Sequence, residues 1–351
     1  MSRTTPTPTL TVALAAGALL LAGCSAGQPG RLPPTASTTA SPTLAAQAQT
    51  PTASPTQLPP GVLASIPLDS GSAPSIAAVG FGAVWVGAHR ANTLYRINPA
   101  RGTVQRIDLG QSTCGPIRVG LGRVFTGACD GSTKTMVVNP ATNQVVASFD
   151  GGEAYGFTPG VIWTGDPNGN RTLLLDSTTY KVITTLPVPG IEGLLVGGYV
   201  WVADENLDGV YDGTIAKIDP ASHKVVQHVR TEPTGPYMYM TYSDGALWLH
   251  GAGDGFLIRV DMATGRSGIV METGVSDLSD FGDQPLVSGQ GSLWVRASAS
   301  TVEQLDGRTG ALVGSYPADP QSPGGWPAVG FGSLWVVNFD SDTVWRVRTR
   351  T

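Results

Sequence analysis

Apolar and polar positions alternate with a period of two through short runs along most of this chain, and the runs come in fours. The first set covers residues 75–79, 83–87, 93–98 and 103–109. Thr103-Val104-Gln105-Arg106-Ile107-Asp108-Leu109 shows the alternation most plainly, and that alternation predicts half-buried β-strands. Gly80-Phe81-Gly82 separates the first two runs, as a tight hairpin with positive φ requires. Asn98-Pro99 ends the third run, and the same punctuation returns at Asn139-Pro140 and Asp219-Pro220. Proline there ends strand pairing without removing a donor from a ladder.

The four-run unit recurs. Its second run carries an aromatic at Trp85, Phe125, Trp163, Trp201, Trp248, Trp294 and Trp335, with spacings of 40, 38, 38, 47, 46 and 41 residues. Seven units of roughly 40 residues each predict an all-β, seven-bladed β-propeller over residues 61–351. The seventh unit stops one strand short. The missing strand is predicted at residues 62–68, because Gly61-Val62-Leu63-Ala64-Ser65-Ile66-Pro67-Leu68-Asp69 resembles the outer run of the sixth unit, residues 311–319. Closing the ring in this way removes an unpaired edge.

The pattern changes completely before residue 61. Arg3 followed by the apolar run 10–22 reads as a targeting segment, too short at thirteen residues to span a bilayer as a helix. It ends in Leu21-Ala22-Gly23-Cys24, a bacterial lipobox pattern that predicts lipidation of Cys24 and removal of residues 1–23. Residues 25–60 are Pro, Thr, Ser, Ala and Gln with one charge, Arg31, and predict a disordered linker. Fully extended, that segment reaches roughly 110 Å. The expected location is therefore the outer face of the bacterial cell membrane, with the membrane itself as one partner.

Composition narrows the classes further. The chain has 351 residues, 46 glycines, a net charge of −5 and only 13% charged residues. This suits a turn-rich β fold and argues against nucleic acid, whose binders carry a basic stripe. A monomer is expected, with an envelope protein, a glycan or a small molecule as ligand. Besides Cys24 the cysteines are Cys114 and Cys129. If the hairpin at Gly120-Leu121-Gly122 pairs 119 with 124, then 114 and 129 face each other, which predicts a disulfide in an oxidising compartment.

Polar and aromatic residues gather in the loops of one propeller face, where function usually sits. Candidate binding residues are Arg90, Asp166, Arg171, Tyr237, Tyr239, Arg296, Trp326 and Asn338. Candidate acid/base groups are His89, Glu153, Glu192 and His250. Strict alternation along Tyr237-Met238-Tyr239-Met240 places both tyrosines on one side, where with Trp326 they form either blade packing or the wall of a sugar pocket. Asp204-Glu205-Asn206-Leu207-Asp208-Gly209 resembles the start of a calcium loop. Position twelve is Ile215 rather than Glu, so Asp204, Asn206, Asp208 and Asp212 are either calcium ligands or a solvated acidic loop. No Gly-x-Ser-x-Gly, His-Glu-x-x-His or phosphate loop is present.

The repeat Gly-x-Gly-[Ala/Ser]-[Val/Leu]-Trp-Val followed by [Asn/Asp]-Thr-[Leu/Val]-[Tyr/Trp]-Arg-[Ile/Val] resembles the YVTN/YncE-like and virginiamycin B (streptogramin) lyase-like seven-bladed propellers. The first resemblance implies an extracytoplasmic binding protein. The second implies a magnesium-assisted elimination by a His/Glu/His grouping, which this chain does not contain as His-x-Glu-x-His.

Overall fold

The computed structural model describes residues 57–113, 115–128, 134–166, 171–190, 192–203, 213–231, 237–251, 256–272, 286–322 and 324–349. The targeting segment with Cys24, most of the linker, Cys114, Cys129 and residues 204–212 lie outside that set. Within it, twenty-eight strands form seven antiparallel sheets of four. The innermost strands of blades 1 to 7 are Pro74–Gly80, Arg118–Gly120, Ala154–Thr158, Glu192–Val196, Tyr237–Ser243, Leu286–Gly289 and Pro327–Gly330. Each meets the next, and the seventh meets the first, so they ring a central axis.

The aromatic period is the period of the blade interfaces. Each repeat aromatic lies on a second strand and is almost fully buried. Trp85 of blade 1 packs with Val124 and Val138 of blade 2, Phe125 with Ile162 and Leu175 of blade 3, and Trp163 with Val200 and Ile218 of blade 4. The same step continues around the molecule until Trp335 of blade 7 packs with Val86 and Tyr95 of blade 1. The core is thus seven hydrophobic wedges rather than one centre, which is how nearly 300 residues form a single domain.

Two further parts of the repeat follow from this geometry. The third-strand arginine lies over the indole of its own blade and reaches the next: Arg96 sits 5.4 Å from the Trp85 ring centre and donates to Asn143 Oδ1 at 2.9 Å. Arg346, 5.5 Å from the Trp335 ring, donates to Pro99 O at 2.9 Å and so stitches blade 7 to blade 1. The final glycine of an inner strand stands where neighbouring blades converge. A Cβ on Gly120 would lie 2.1 Å from the Phe157 ring, and one on Gly330 would lie 2.6 Å from Val79.

The ring closes as the sequence predicts. Val62–Pro67 pairs antiparallel with Thr343–Arg348 as the outer strand of blade 7. Asp342 fastens the junction, its carboxylate accepting the Gly71 and Ala73 amides at 2.6 and 2.8 Å. Beyond it, Asp69 pairs with Arg106, which holds the Asp69 carboxyl below its ordinary range. In blade 2, Val119 pairs with Val124 as expected, but the isolated antiparallel bridge Thr113–Ala128 is shifted out of the register that would set position 114 opposite 129.

Candidate functional site

Inner strands of five blades line a cavity of ≈ 210 Å³ on the axis. It is lined by residues such as Ala77, Ala78, Ile117, Val287 and Ala328, yet most of the surface they expose to it is polar, and its one charged wall residue is Arg118. The repeat explains why that residue stands out. The inner-strand position paired with the core aromatic is Ala78, Arg118, Gly156, Leu194, Thr241, Val287 and Ala328 in blades 1 to 7. Only blade 2 places a charge there.

Arg118 crosses two blades. Its Nε donates to Ala154 O of blade 3 at 3.2 Å, and its Nη2 donates to Glu192 Oε1 of blade 4 at 2.6 Å. Glu192 is the first residue of its inner strand, with a side chain only 2% exposed. The Met240 amide of blade 5 also donates to it, and the Glu153 carboxyl of blade 3 hydrogen-bonds it. Burial pushes the Glu192 carboxyl above its ordinary range, although Arg118, Glu153 and Met240 all pull the other way. Beneath it, burial and the charges of Glu192 and Glu153 push the Tyr155 phenol well above its ordinary value, and its hydroxyl donates to Gly190 O.

Glu153 and Glu192 are thus brought together, and Arg118, which loop position did not bring forward, joins them. Among the described residues Arg118 Nη1 has no hydrogen-bond partner. The arrangement presents a fixed, partly exposed donor in the wall of the axial cavity, able to hold an acceptor such as a carboxylate.

The other expected residues stand apart from it. His89 and Arg90 are exposed on the rim of blade 1 and flank the Phe339 ring, at 5.8 and 5.3 Å. His250 is fully buried on the second strand of blade 5, where burial lowers its pKa to about 4. It is a neutral core imidazole at neutral pH and does not meet His89. Asp166 and Arg171 form an ion pair at 2.7 Å across the top of one hairpin.

Arg296 and Asn338, read from sequence as loop binding residues, are structural. Arg296 is 1% exposed and donates to five backbone carbonyls, while Asn338 is fully buried and donates to Thr343 Oγ1 at 3.1 Å. Tyr239 of blade 5 and Trp326, at the entry to blade 7, are likewise buried, at 4% and 2%, and meet edge to face beside the central axis. They offer no exposed platform to a sugar. The backbone pairing of this strand shifts register between Tyr237 and Tyr239. Trp326 still contributes to the cavity wall. His223 lies against Trp163, edge to face at 5.7 Å. Asp204, Asn206, Asp208 and Asp212 lie outside the described residues. Among the described residues no group of three or more His, Cys, Asp or Glu side chains is placed to hold a metal ion.

Neither a protein family nor a curated protein matches the sequence. Solved structures do match the fold. A streptogramin B lyase structure aligns with a TM-score of 0.63 at 16% identity, covering 82% of this chain and 97% of that one. Hydrazine synthase from Kuenenia stuttgartiensis gives 0.65 at 12% identity over 79% and 96%. BamB from Moraxella catarrhalis gives 0.51 at 15% identity over 78% and 85%. At these identities the likeness is one of fold.

Proposed function

We propose that the chain is an exported, lipid-anchored propeller that acts as a monomeric binding scaffold at the cell envelope and takes its ligand at the axial cavity, on Arg118. The observation that carries this reading is the guanidinium itself. It is anchored on Ala154 O and Glu192, retains an unpartnered Nη1 among the described residues, and is the only charged residue lining the small axial cavity. The ligand is a small molecule, or a protruding group of an envelope protein or glycan, that carries an acceptor such as a carboxylate. Its apolar part lies against Ala77, Val287 and Trp326.

A thermal-shift screen of the propeller against small carboxylates, cell-wall fragments and divalent metals tests this. Acceptor-bearing compounds are expected to raise Tm by several degrees in the wild type and to leave Arg118→Met unmoved. That variant should fold, because Glu192, already inclined to hold a proton, can go neutral once the guanidinium is gone. Equal shifts in both proteins would contradict the reading.

One observation favours a second reading. The raised pKa of Glu192 and its bond to Glu153 are what a general acid needs, and elimination or hydrolysis at this mouth would use Glu192 as the proton donor. Magnesium or calcium belongs to that reading or to the acidic loop at 204–212.

The address is proposed from the lipobox. Replacing Cys24 by Ser is expected to release the protein into the medium, read by fractionation. Retention on the membrane would contradict lipid anchoring.

A further inference from the structure

We propose that the face opposite the channel mouth docks on an anionic phospholipid surface through the sector formed by blades 7, 1 and 2. In each antiparallel meander the first-to-second and third-to-fourth strand turns lie at the same end, away from Glu192 and Glu153. At that end the inner hairpins of blades 7, 1 and 2 carry Phe331, Phe81 and Leu121, exposed by 43, 43 and 44%. Their φ values are 54, 49 and 50°, in the left-handed region where Asn, Asp or Gly is preferred. Blades 3 to 6 place Pro159, Gly197, Asp244 and Gln290 at that turn. A bulky apolar group at these three tips serves neither burial nor backbone.

Charge marks the same sector. The third-to-fourth turns of blades 3 to 6 are built on Asp176, Asp219, Asp261 and Asp306, each accepting amides two or three residues on. Blades 1 and 2 use neutral Asn98 and Asn139 for the same task. Arg101, Arg123 and Arg348 stand at or beside the sector's turns, with Arg96 and Arg346 behind them, and among the described residues no acid lies at those turns. A recess of ≈ 270 Å³ beside Phe81, lined by Gly82, Arg96, Asn98 and Arg101, fits an anionic headgroup. Apolar tips among cations are what an anionic bilayer surface binds, through inserted area and charge together.

The tether joins here as well. Gly61 O accepts the Arg348 amide at 2.9 Å, one hairpin away from Phe331, so the chain arriving from Cys24 meets the propeller at this face. Docking would therefore turn the channel mouth outward. The physiological setting rests on the lipid-anchor reading above, but the surface is testable without it, because all seven blade interfaces are internal to the described residues from 57 onward.

The propeller of residues 57–351 is expected to cosediment with phosphatidylcholine vesicles containing phosphatidylglycerol, more weakly as salt rises, and little with pure phosphatidylcholine. The triple variant Phe81→Asn, Leu121→Asn, Phe331→Asn should lose roughly tenfold or more of that binding. Its Tm should be unchanged or higher, since Asn suits the left-handed position. Equal vesicle binding by wild type and triple variant, or no binding by either at low salt, would overturn the proposal. So would a wild-type dimer that the triple variant converts to monomer without any vesicle binding, which would make a second copy the occupant. Release of the Cys24→Ser protein bears on the anchor alone, so failure of either idea is separately visible.

Discussion

Removing residues 57–68 from the propeller should lower its Tm by about 10 °C or more, a loss on the order of 5 kcal/mol. The deletion takes away the whole outer strand Val62–Pro67 and with it the ladder to Thr343–Arg348. Ile66, 5% exposed, leaves the wedge between blades 7 and 1, and Leu68 no longer donates to Asp342 O at 2.8 Å. Burial of one such side chain is worth roughly 2–3 kcal/mol before any hydrogen bond is counted. The exposed edge of Thr343–Arg348 then invites pairing with another chain, so aggregation above the transition is expected too. Scanning calorimetry reads both effects. An unchanged transition would mean that the ring holds without its last strand.

Arg296→Met should destabilise the propeller by about 3–5 kcal/mol, read as the shift in a urea unfolding curve. Arg296 Nη1 donates to Gly324 O, Gly325 O and Val337 O, and Nη2 donates to Ala299 O and Ser322 O, all between 2.8 and 3.1 Å. One guanidinium thus satisfies the turn that leads from blade 6 into the inner strand of blade 7. Methionine fills similar volume but removes a donor from five carbonyls, of which Gly324 O keeps the Phe339 amide at 3.3 Å. Burial lowers the Arg296 pKa to about 10, so the cation persists at neutral pH. Lysine should be intermediate: its ammonium has three donors from one point and cannot span the fork, and it loses its charge more readily when buried. A Met variant within ~0.5 kcal/mol of wild type would show that the carbonyls find other partners.

The architecture was legible because its cause repeats. An aromatic is needed at every blade interface, so the interface count appears as a spacing in the chain, and Gly61–Asp69 was readable as the closing strand by likeness to residues 311–319. The site was less legible. Glu153 and Glu192 were visible as acids at the loop face, but their partner Arg118 is a strand residue, and ranking by loops passed over it. Aligning the inner strands on the core aromatic would have shown it, since Ala78, Gly156, Leu194, Thr241, Val287 and Ala328 are uncharged. The reverse error affected Arg296 and Asn338. A polar residue near a loop looks solvated from sequence alone, yet here the backbone carbonyls of Ser322, Gly324 and Gly325 and the Asp319 amide recruit these two side chains inward.

A crystal structure of the propeller with whichever compound gives the largest Arg118-dependent thermal shift would test the central claim most directly. The account predicts an acceptor of that compound within hydrogen-bond distance of the Arg118 guanidinium, with its apolar part against Ala77, Val287 or Trp326. A compound bound on the outer rim, with the axial cavity empty and the Arg118–Glu192 pair undisturbed, would contradict it.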